Sequence, residues 1–337
     1  MVFFLKTYLI LCFIMGVIMG KIQFAFKYFP RERKTDDFFV NFLRENYFQI
    51  KFVNEKKADF LLFSTFNNKN TLEMPKVSFK GKKIFWTGEN CRIDKNKTDF
   101  AFGFDYEEDI KNNNYLRLPL YVYYGAGRNL IKPSDYNPQK ILEQKTKFCN
   151  YVYSKDSKER VEFFKKLSKY KKIDAPGNSM NNTRSVPSKK YRYIVDLLSY
   201  FDFISKKYKP SALFSRHFSD WRKDIIEYQK KYKFTIAFEN SSYPGYTTEK
   251  IYHPMLANSI PIYWGNPEIS KDFNKKSFIN YYDYNDLDKL VDVVIDLDQN
   301  DKKYMKKLKQ PWLKGNKLNK WMYKARLKRQ FDRIFFD

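Results

Sequence analysis

Short apolar runs bounded by polar turns recur along the first third of the chain, and an amphipathic segment at Asp36–Asn46 predicts a helix among them. Strands at this spacing, interleaved with helices, indicate a parallel α/β sheet. The predicted strands are Lys21–Phe29, Tyr47–Val53, Asp59–Ser64, Lys83–Thr87, Phe100–Phe104 and Tyr115–Val122.

A second α/β pattern follows a polar stretch, Gly125–Lys140, which contains two prolines and is interpreted as an interdomain linker. Residues 184–220, rich in Lys, Tyr and Ser, are predicted to be mostly helical with flexible ends. The pattern therefore predicts one domain over residues 21–140 and another over residues 141–300. In the second domain we expect strands at Phe148–Ser154, Lys172–Ala175, Phe234–Phe238 and Ile260–Trp264, and helices at Ser157–Tyr170 and Asp286–Leu297.

The two ends of the chain depart from this pattern. Val2–Met19 is apolar except at three positions and is about long enough to cross a bilayer. We therefore predict a membrane anchor within residues 1–20; the flanking charges do not determine its orientation in the membrane. A cleaved signal peptide and a buried arm are the alternatives, and the alternative location is cytoplasmic. Residues 301–337 form a basic tail with 13 Lys and Arg against 3 Asp. A solvated helix with an aromatic packing face is favoured there over a membrane-surface helix.

Composition limits the function classes. The net charge of +26, from 64 Lys and Arg against 38 Asp and Glu, would attract polyanions. A nucleic-acid-binding protein is thus the alternative from another class, but the basic residues are spread along the chain and no nucleic-acid-binding signature is present. We therefore expect no nucleic-acid partner. Three scattered cysteines and two histidines, His217 and His253, make a Cys/His metal centre or a histidine-based catalytic triad nearly excluded.

The polar residues best suited to bind a ligand follow the predicted strand Phe234–Phe238. A buried strand that ends in Glu239 and Asn240 delivers these groups to the carboxyl edge of its sheet, where α/β proteins bind ligands. The following loop leads to a threonine pair that can cap a helix, with Glu249 and Lys250 in the first turn. A helix N-terminus favours phosphate, and Lys250 adds a full positive charge. Glu249 is the kind of acceptor that binds ribose hydroxyls, and Pro254 predicts a kink or a late helix start.

The whole stretch Phe234–Pro267, FTIAFENSSYPGYTTEKIYHPMLANSIPIYWGNP, resembles the signature of the α-1,3/4-fucosyltransferases of glycosyltransferase family 10, in its bacterial form. Further motifs of the same family appear in order: IFWTGEN (Ile84–Asn90), DFAFGFD (Asp99–Asp105), YLRLPLY (Tyr115–Tyr121), IDAPGNSMNN (Ile173–Asn182) and DWRKDIIEYQKKYKF (Asp220–Phe234). The resemblance implies a GT-B architecture, two Rossmann-like domains facing across a cleft, with the acceptor on the N-terminal domain and GDP-fucose on the C-terminal domain. It also implies inverting transfer of L-fucose to a glycan hydroxyl, without a metal or other cofactor for the chemistry.

The resemblance also assigns site residues. By motif position, Glu249 resembles the ribose ligand, Lys250 and Asn240 the phosphate ligands, and Tyr246 a donor contact. A further phosphate ligand is expected near Asn181, where some relatives have an arginine. Arg184 is the neighbouring candidate there, with Arg216 and Arg222 as alternatives.

Glu89 resembles the catalytic base of the family. Ile84–Trp86 is predicted as a buried strand and Thr87-Gly88 as a turn, so Glu89 should emerge at the carboxyl edge of the first sheet. The alternatives are a Glu that caps the next segment or pairs with Arg92, and Glu239 is the second candidate base. We expect an α-1,3 or α-1,4 linkage to an N-acetylglucosamine- or glucose-type residue. Another GDP-sugar or an unusual acceptor remains the alternative.

Overall fold

The computed structural model describes residues 21–29, 38–65, 72–183 and 221–337, which divide into two compact units. The first unit contains the described residues up to Tyr124 together with Tyr323–Asp337, and the second is formed by those within Gly125–Met322. The units thus divide at a point 16 residues before the boundary expected after residue 140. One reason is that the predicted linker hydrogen-bonds inside the second unit: the Asn129 amide donates to the Tyr252 hydroxyl at 2.7 Å.

Parallel strands form the core of both units. In chain order they are β1 Ile22–Lys27, β2 Ile50–Phe52, β3 Phe60–Phe63, β4 Lys82–Trp86, β5 Phe100–Gly103, β6 Tyr115–Arg117, β7 Lys147–Asn150, β8 Ile173–Asp174, β9 Tyr232–Phe238, β10 Ile260–Trp264 and β11 Ile279–Asn280. The predicted strands overlap observed ones throughout, although the run Tyr115–Val122 is divided between a strand and a helical turn.

Helices of very different length connect these strands. They are α1 Phe38–Asn46, α2 Glu107–Ile110, α3 Leu120–Tyr123, α4 Pro138–Glu143, α5 Lys158–Leu167, α6 Trp221–Gln229, α7 Glu249–Leu256, α8 Leu287–Gln299, α9 Asp301–Lys309 and α10 Lys324–Phe336. The helices predicted from the sequence correspond to α1, α5 and α8. The helical prediction for residues 184–220 lies outside the described residues.

Counted from the β8 end, the five strands of the second sheet follow the same order as the first five strands of the first sheet. In the first unit the order is β2-β1-β3-β4-β5-β6, and in the second it is β11-β10-β9-β7-β8, with parallel pairing throughout. Both are doubly wound sheets in which the order of the strands reverses beside the first strand of the unit, between β1 and β3 and between β7 and β9. Ligands of such sheets bind outside the carboxyl ends of the strands near this reversal. Ligands are therefore expected at the carboxyl ends of β1 and β3 in the first unit, where β4 is the neighbouring strand, and at those of β7 and β9 in the second.

The basic C-terminal segment is packed, which confirms its predicted aromatic packing face. It is not a separate domain: its first part belongs to the second unit, while α10 lies in the first. Trp312 and Trp321 are buried in the second unit. In the first unit the Phe331 ring of α10 lies 5.3 Å from the Phe102 ring and 6.4 Å from the Phe24 ring. The tail thus completes two hydrophobic cores.

We expect Phe331→Leu to destabilise the first unit because Phe331 is fully buried among other aromatic rings. The loss should be about 1–2 kcal/mol of unfolding free energy. Phe336→Leu, on the same helix but 45% exposed, is the matched control and should change stability little. Urea unfolding measures both. Equal midpoints for the two variants would show that α10 does not pack as described.

A membrane anchor was predicted within residues 1–20, which lie outside the described residues, so the anchor stays a prediction. Of the helices in the described ranges, none combines the length and the apolar character needed to cross a bilayer.

Candidate active site

The strand β9 and the helix α7 form the local unit that the sequence predicts. Strand β9 lies in the middle of the second sheet, paired with β7 and β10, and its last five residues are buried. Thr248 is the N-cap of α7, and its side chain accepts a hydrogen bond from the Lys250 amide. Glu249 and Lys250 occupy the first turn, as predicted. The expected late start is not observed, because α7 begins at Glu249 and continues through Pro254.

Glu239, the residue directly after β9, is fully buried. One carboxylate oxygen accepts from the Thr248 amide at 2.8 Å, and the other accepts from the Thr248 hydroxyl at 2.6 Å. Burial raises the pKa of Glu239, while nearby Lys250 opposes this rise. Gly265 makes room for the side chain, since a Cβ at that position would lie 2.3 Å from the Glu239 Cγ. These contacts make Glu239 a fixed support of the α7 N-terminus, and they leave its second-candidate role as base with little geometric support.

Lys250 lies at the centre of a cluster of oxygen atoms. Its ammonium is 3.1 Å from the Thr248 hydroxyl, 3.2 Å from a Glu249 carboxylate oxygen and 3.5 Å from a Glu239 carboxylate oxygen. Burial lowers the pKa of Lys250, but Glu249 and Glu239 raise it by more, so the pKa lies well above its ordinary value. Lys250 is therefore a permanently charged ammonium at a helix N-terminus, the arrangement that attracts phosphate.

Glu249 is the more accessible of the two carboxylates beside Lys250. Its side chain is 18% exposed, whereas that of Glu239 is 0% exposed. Burial raises the pKa of Glu249, but the charges of Lys250 and His253 lower it by more, so Glu249 has a depressed pKa. An ionised and partly exposed carboxylate can accept hydrogen bonds from sugar hydroxyls.

The loop between β9 and α7 is held from outside by residues that the sequence analysis did not single out. Asn266, fully buried after β10, accepts from the Gly245 amide at 2.9 Å and donates to the Thr247 hydroxyl at 3.0 Å. The Tyr282 hydroxyl donates to the Gly265 carbonyl at 2.9 Å and lies 2.6 Å from the Ser242 hydroxyl. The signal for Asn266 was present in the sequence, because it follows β10 as Glu239 follows β9.

The structure brings the other predicted donor contacts of the motif into the same unit. Asn240 is exposed at the carboxyl end of β9, where its amide oxygen accepts from the Ser241 hydroxyl at 3.3 Å. Tyr246 is buried on the loop before α7, close enough to Lys250 to affect its pKa. Their roles as donor ligands stay predictions.

Of the residues expected to provide a further phosphate contact, only some are among the described residues. Asn181 lies on the loop after β8, where its amide donates to three carbonyl oxygens of its own loop, those of Ala175, Gly177 and Thr183. Arg184 and Arg216 lie outside the described residues. A cation that the sequence analysis missed, Arg160 of α5, is buried and donates to the Phe238 carbonyl at 3.0 Å. The positive charge of Arg160 acts to lower the pKa of Lys250.

Glu89 follows the carboxyl end of β4, where it was predicted. Its backbone amide donates to the Thr87 hydroxyl at 3.0 Å, and the Thr87 hydroxyl lies 3.1 Å from the buried Thr65 hydroxyl. The Glu89 carboxylate is partly buried and makes no hydrogen bond or ion pair with any residue in the described part of the chain. The position of Glu89 is thus set by its backbone, at the carboxyl end of β4.

The alternative pairing of Glu89 with Arg92 is not what the structure shows. The Arg92 guanidinium contacts the Asp105 carboxylate and donates to the Asn90 side-chain oxygen at 3.1 Å. Burial raises the pKa of Asp105, while Arg92 and Arg117 oppose the rise. Arg92 therefore forms its ion pair with Asp105, which follows β5, and not with Glu89.

Two family models match the chain. The model described as glycosyltransferase family 10 (fucosyltransferase), C-terminal, covers residues 142–330, and the α-(1,3)-fucosyltransferase FucT N-terminal domain covers residues 23–124. The chain belongs to glycosyltransferase family 10. The first match contains Asn181, Asn240, Tyr246, Glu249 and Lys250, and the second contains Glu89.

Relatives of known sequence agree with this membership. The chain is similar to the α-(1,3)-fucosyltransferase FucT of Helicobacter pylori, with 31% identity over 235 residues, which cover 63% of this chain and 43% of that protein. It is also similar to α-(1,3)-fucosyltransferase B of Drosophila melanogaster, with 29% identity over 203 residues, 57% of this chain and 40% of that protein. The chain thus spans less than half of the length of either relative.

A solved structure shows the fold. The crystal structure of an α1,3-fucosyltransferase with GDP-fucose matches with a TM-score of 0.68 and 22% identity, and the match covers 95% of this chain and 91% of that one. The family 10 chain therefore has the two-domain α/β fold of GT-B type that the sequence predicts. Within the described residues, no group of three or more His, Cys, Asp and Glu side chains is placed to hold a metal ion.

Proposed function

We propose that this chain transfers L-fucose from GDP-fucose to a hydroxyl of a glycan, with inversion at the anomeric carbon. The observation that carries the proposal is the Lys250 ammonium, held by two carboxylates at the N-terminus of α7, directly beyond the central strand of the second sheet. Such a site suits a diphosphate. Membership of family 10 supports fucose as the transferred sugar.

On the donor side, the diphosphate binds Lys250 and the amides of the first turn of α7, and Asn240 provides a further phosphate contact. Glu249 accepts from the ribose hydroxyls, and Tyr246 contacts the donor from the adjoining loop. As the bond between the anomeric carbon and the GDP oxygen breaks, its electron pair stays on the diphosphate. Lys250 stabilises this growing charge, which is the larger part of the catalytic task in such a site.

On the acceptor side, Glu89 acts as the general base. Its carboxylate takes the proton of the acceptor hydroxyl while the acceptor oxygen forms the new bond to the anomeric carbon. Attack from the face opposite to GDP inverts the configuration. We propose a glycan acceptor linked α-1,3 or α-1,4 at an N-acetylglucosamine- or glucose-type residue. We also propose that protein cations, rather than a metal or other cofactor, neutralise the leaving group, so that turnover persists in EDTA.

A glycan panel tests the activity. The full chain is incubated with GDP-fucose and a series of oligosaccharides, and the products are examined by NMR. The proposal predicts release of GDP together with an α-linked L-fucose on at least one glycan. Transfer of a different sugar from another GDP-sugar, with none from GDP-fucose, would reject fucose as the donor sugar.

We further propose that residues 1–20 attach the protein to a membrane, because the apolar run Val2–Met19 is near spanning length. Carbonate extraction of membranes from cells that express the full chain should leave the protein in the pellet. A variant that begins at Lys21 should move to the supernatant. Full release of the intact chain by carbonate would reject the anchor.

A further inference from the structure

Lys250 has more negative partners than a phosphate-binding cation needs. An ammonium group has three N–H donors, and three oxygens already surround it, from Thr248, Glu249 and Glu239. Two of these oxygens belong to carboxylates, so the charge that should attract a diphosphate is already compensated. A diphosphate that approaches Lys250 must take the place of one of them.

Of the three partners, Glu249 is the one least fixed by contacts with other residues. Glu239 is fully buried, its two oxygens hold the Thr248 amide and hydroxyl, and Gly265 packs against it. Thr248 is the N-cap of α7. Glu249 is partly exposed; among the described side chains it hydrogen-bonds and ion-pairs with Lys250, and the charge of His253 also lowers its pKa.

We infer that Glu249 makes diphosphate binding depend on a ribose: it covers the Lys250 ammonium and releases it only when sugar hydroxyls take its carboxylate. The inference rests on the proposed donor site. Its consequence is selectivity, because a diphosphate without a diol must break the Glu249–Lys250 pair and leave the carboxylate without its ammonium partner. The ribose hydroxyls of a nucleoside diphosphate offset the loss of this ion pair by donating to Glu249, whereas inorganic diphosphate has no such hydroxyls.

Calorimetric titration at constant ionic strength tests the inference with GDP, 2′,3′-dideoxy-GDP and inorganic diphosphate. Glu249→Gln keeps the side-chain length and removes the charge. In this variant the two ligands without hydroxyls should bind at least about threefold tighter than to the wild type, because Lys250 is uncovered. GDP should bind at least about threefold more weakly, because it loses a charged hydrogen-bond acceptor.

Glu239→Gln is the matched control, since Glu239 also faces Lys250 but is too buried to reach a ligand. It should move the affinities of all three ligands in the same direction, whereas Glu249→Gln moves them in opposite directions. Thermal melts of both variants report on folding. Equal shifts for GDP and inorganic diphosphate in Glu249→Gln would overturn the inference. Failure of the donor site itself would look different: Lys250→Ala would then bind GDP as the wild type does.

Discussion

Replacing Glu89 by glutamine is expected to lower turnover by at least about 100-fold while GDP-fucose still binds with near-normal affinity. The amide keeps the shape of the carboxylate and the backbone hydrogen bond to Thr87, but it cannot take a proton from the acceptor. Steady-state kinetics with a glycan acceptor, together with donor titration, separate the loss in kcat from any loss in binding.

Glu45→Gln is a suitable control for this variant. Glu45 is an exposed carboxylate of the first unit whose ion pair with Lys324 spans 3.5 Å, so its loss should leave kcat unchanged. A near-normal rate for Glu89→Gln would move the base to another carboxylate.

Lys250→Ala should lower kcat by about two to three decades, because it removes the cation that faces the departing diphosphate. The variant also leaves Glu239 buried with its two Thr248 contacts but without the charge of Lys250. Some loss of stability is therefore expected, and a thermal melt must accompany the rate. Lys302→Ala, a change at an exposed lysine of α9, controls for the general loss of positive charge.

The two lysine variants give a clear contrast. Kinetics at saturating and limiting GDP-fucose should show a large fall in kcat for Lys250→Ala and wild-type values for Lys302→Ala. Equal kinetics in both, with Lys250→Ala folded, would show that the diphosphate binds elsewhere.

Much of the unit formed by β9 and α7 could be predicted, because consecutive residues in the sequence determine it. Strand β9, the cap at Thr248 and the first-turn position of Lys250 follow from consecutive residues in the sequence. The different tasks of Glu239 and Glu249 could not be predicted. Each is an acidic residue near the carboxyl end of β9, and the burial of Glu239 depends on Gly265, which lies beyond the next strand.

The packing of the C-terminal segment also depends on residues that are distant in the sequence, and it could not be predicted in detail for that reason. The amphipathic pattern of the basic tail favoured an aromatic packing face over a membrane surface, but it did not show which residues that face contacts. What decides is the contact of Phe331 with Phe24, Phe39 and Phe102, residues more than two hundred positions earlier. The compact units divide after Tyr124 rather than after residue 140 for a related reason, since the polar stretch after Gly125 hydrogen-bonds to α7.

The central claim is that the second unit binds and activates GDP-fucose at Lys250. The most direct measurement is the release of GDP in the absence of acceptor, from GDP-fucose and from GDP-mannose, by the wild type and by Lys250→Ala. We expect slow hydrolysis of GDP-fucose by the wild type, little hydrolysis of GDP-mannose, and a large decrease in the rate for Lys250→Ala. Equal hydrolysis of both donors, or an unchanged rate in the folded Lys250→Ala variant, would contradict it.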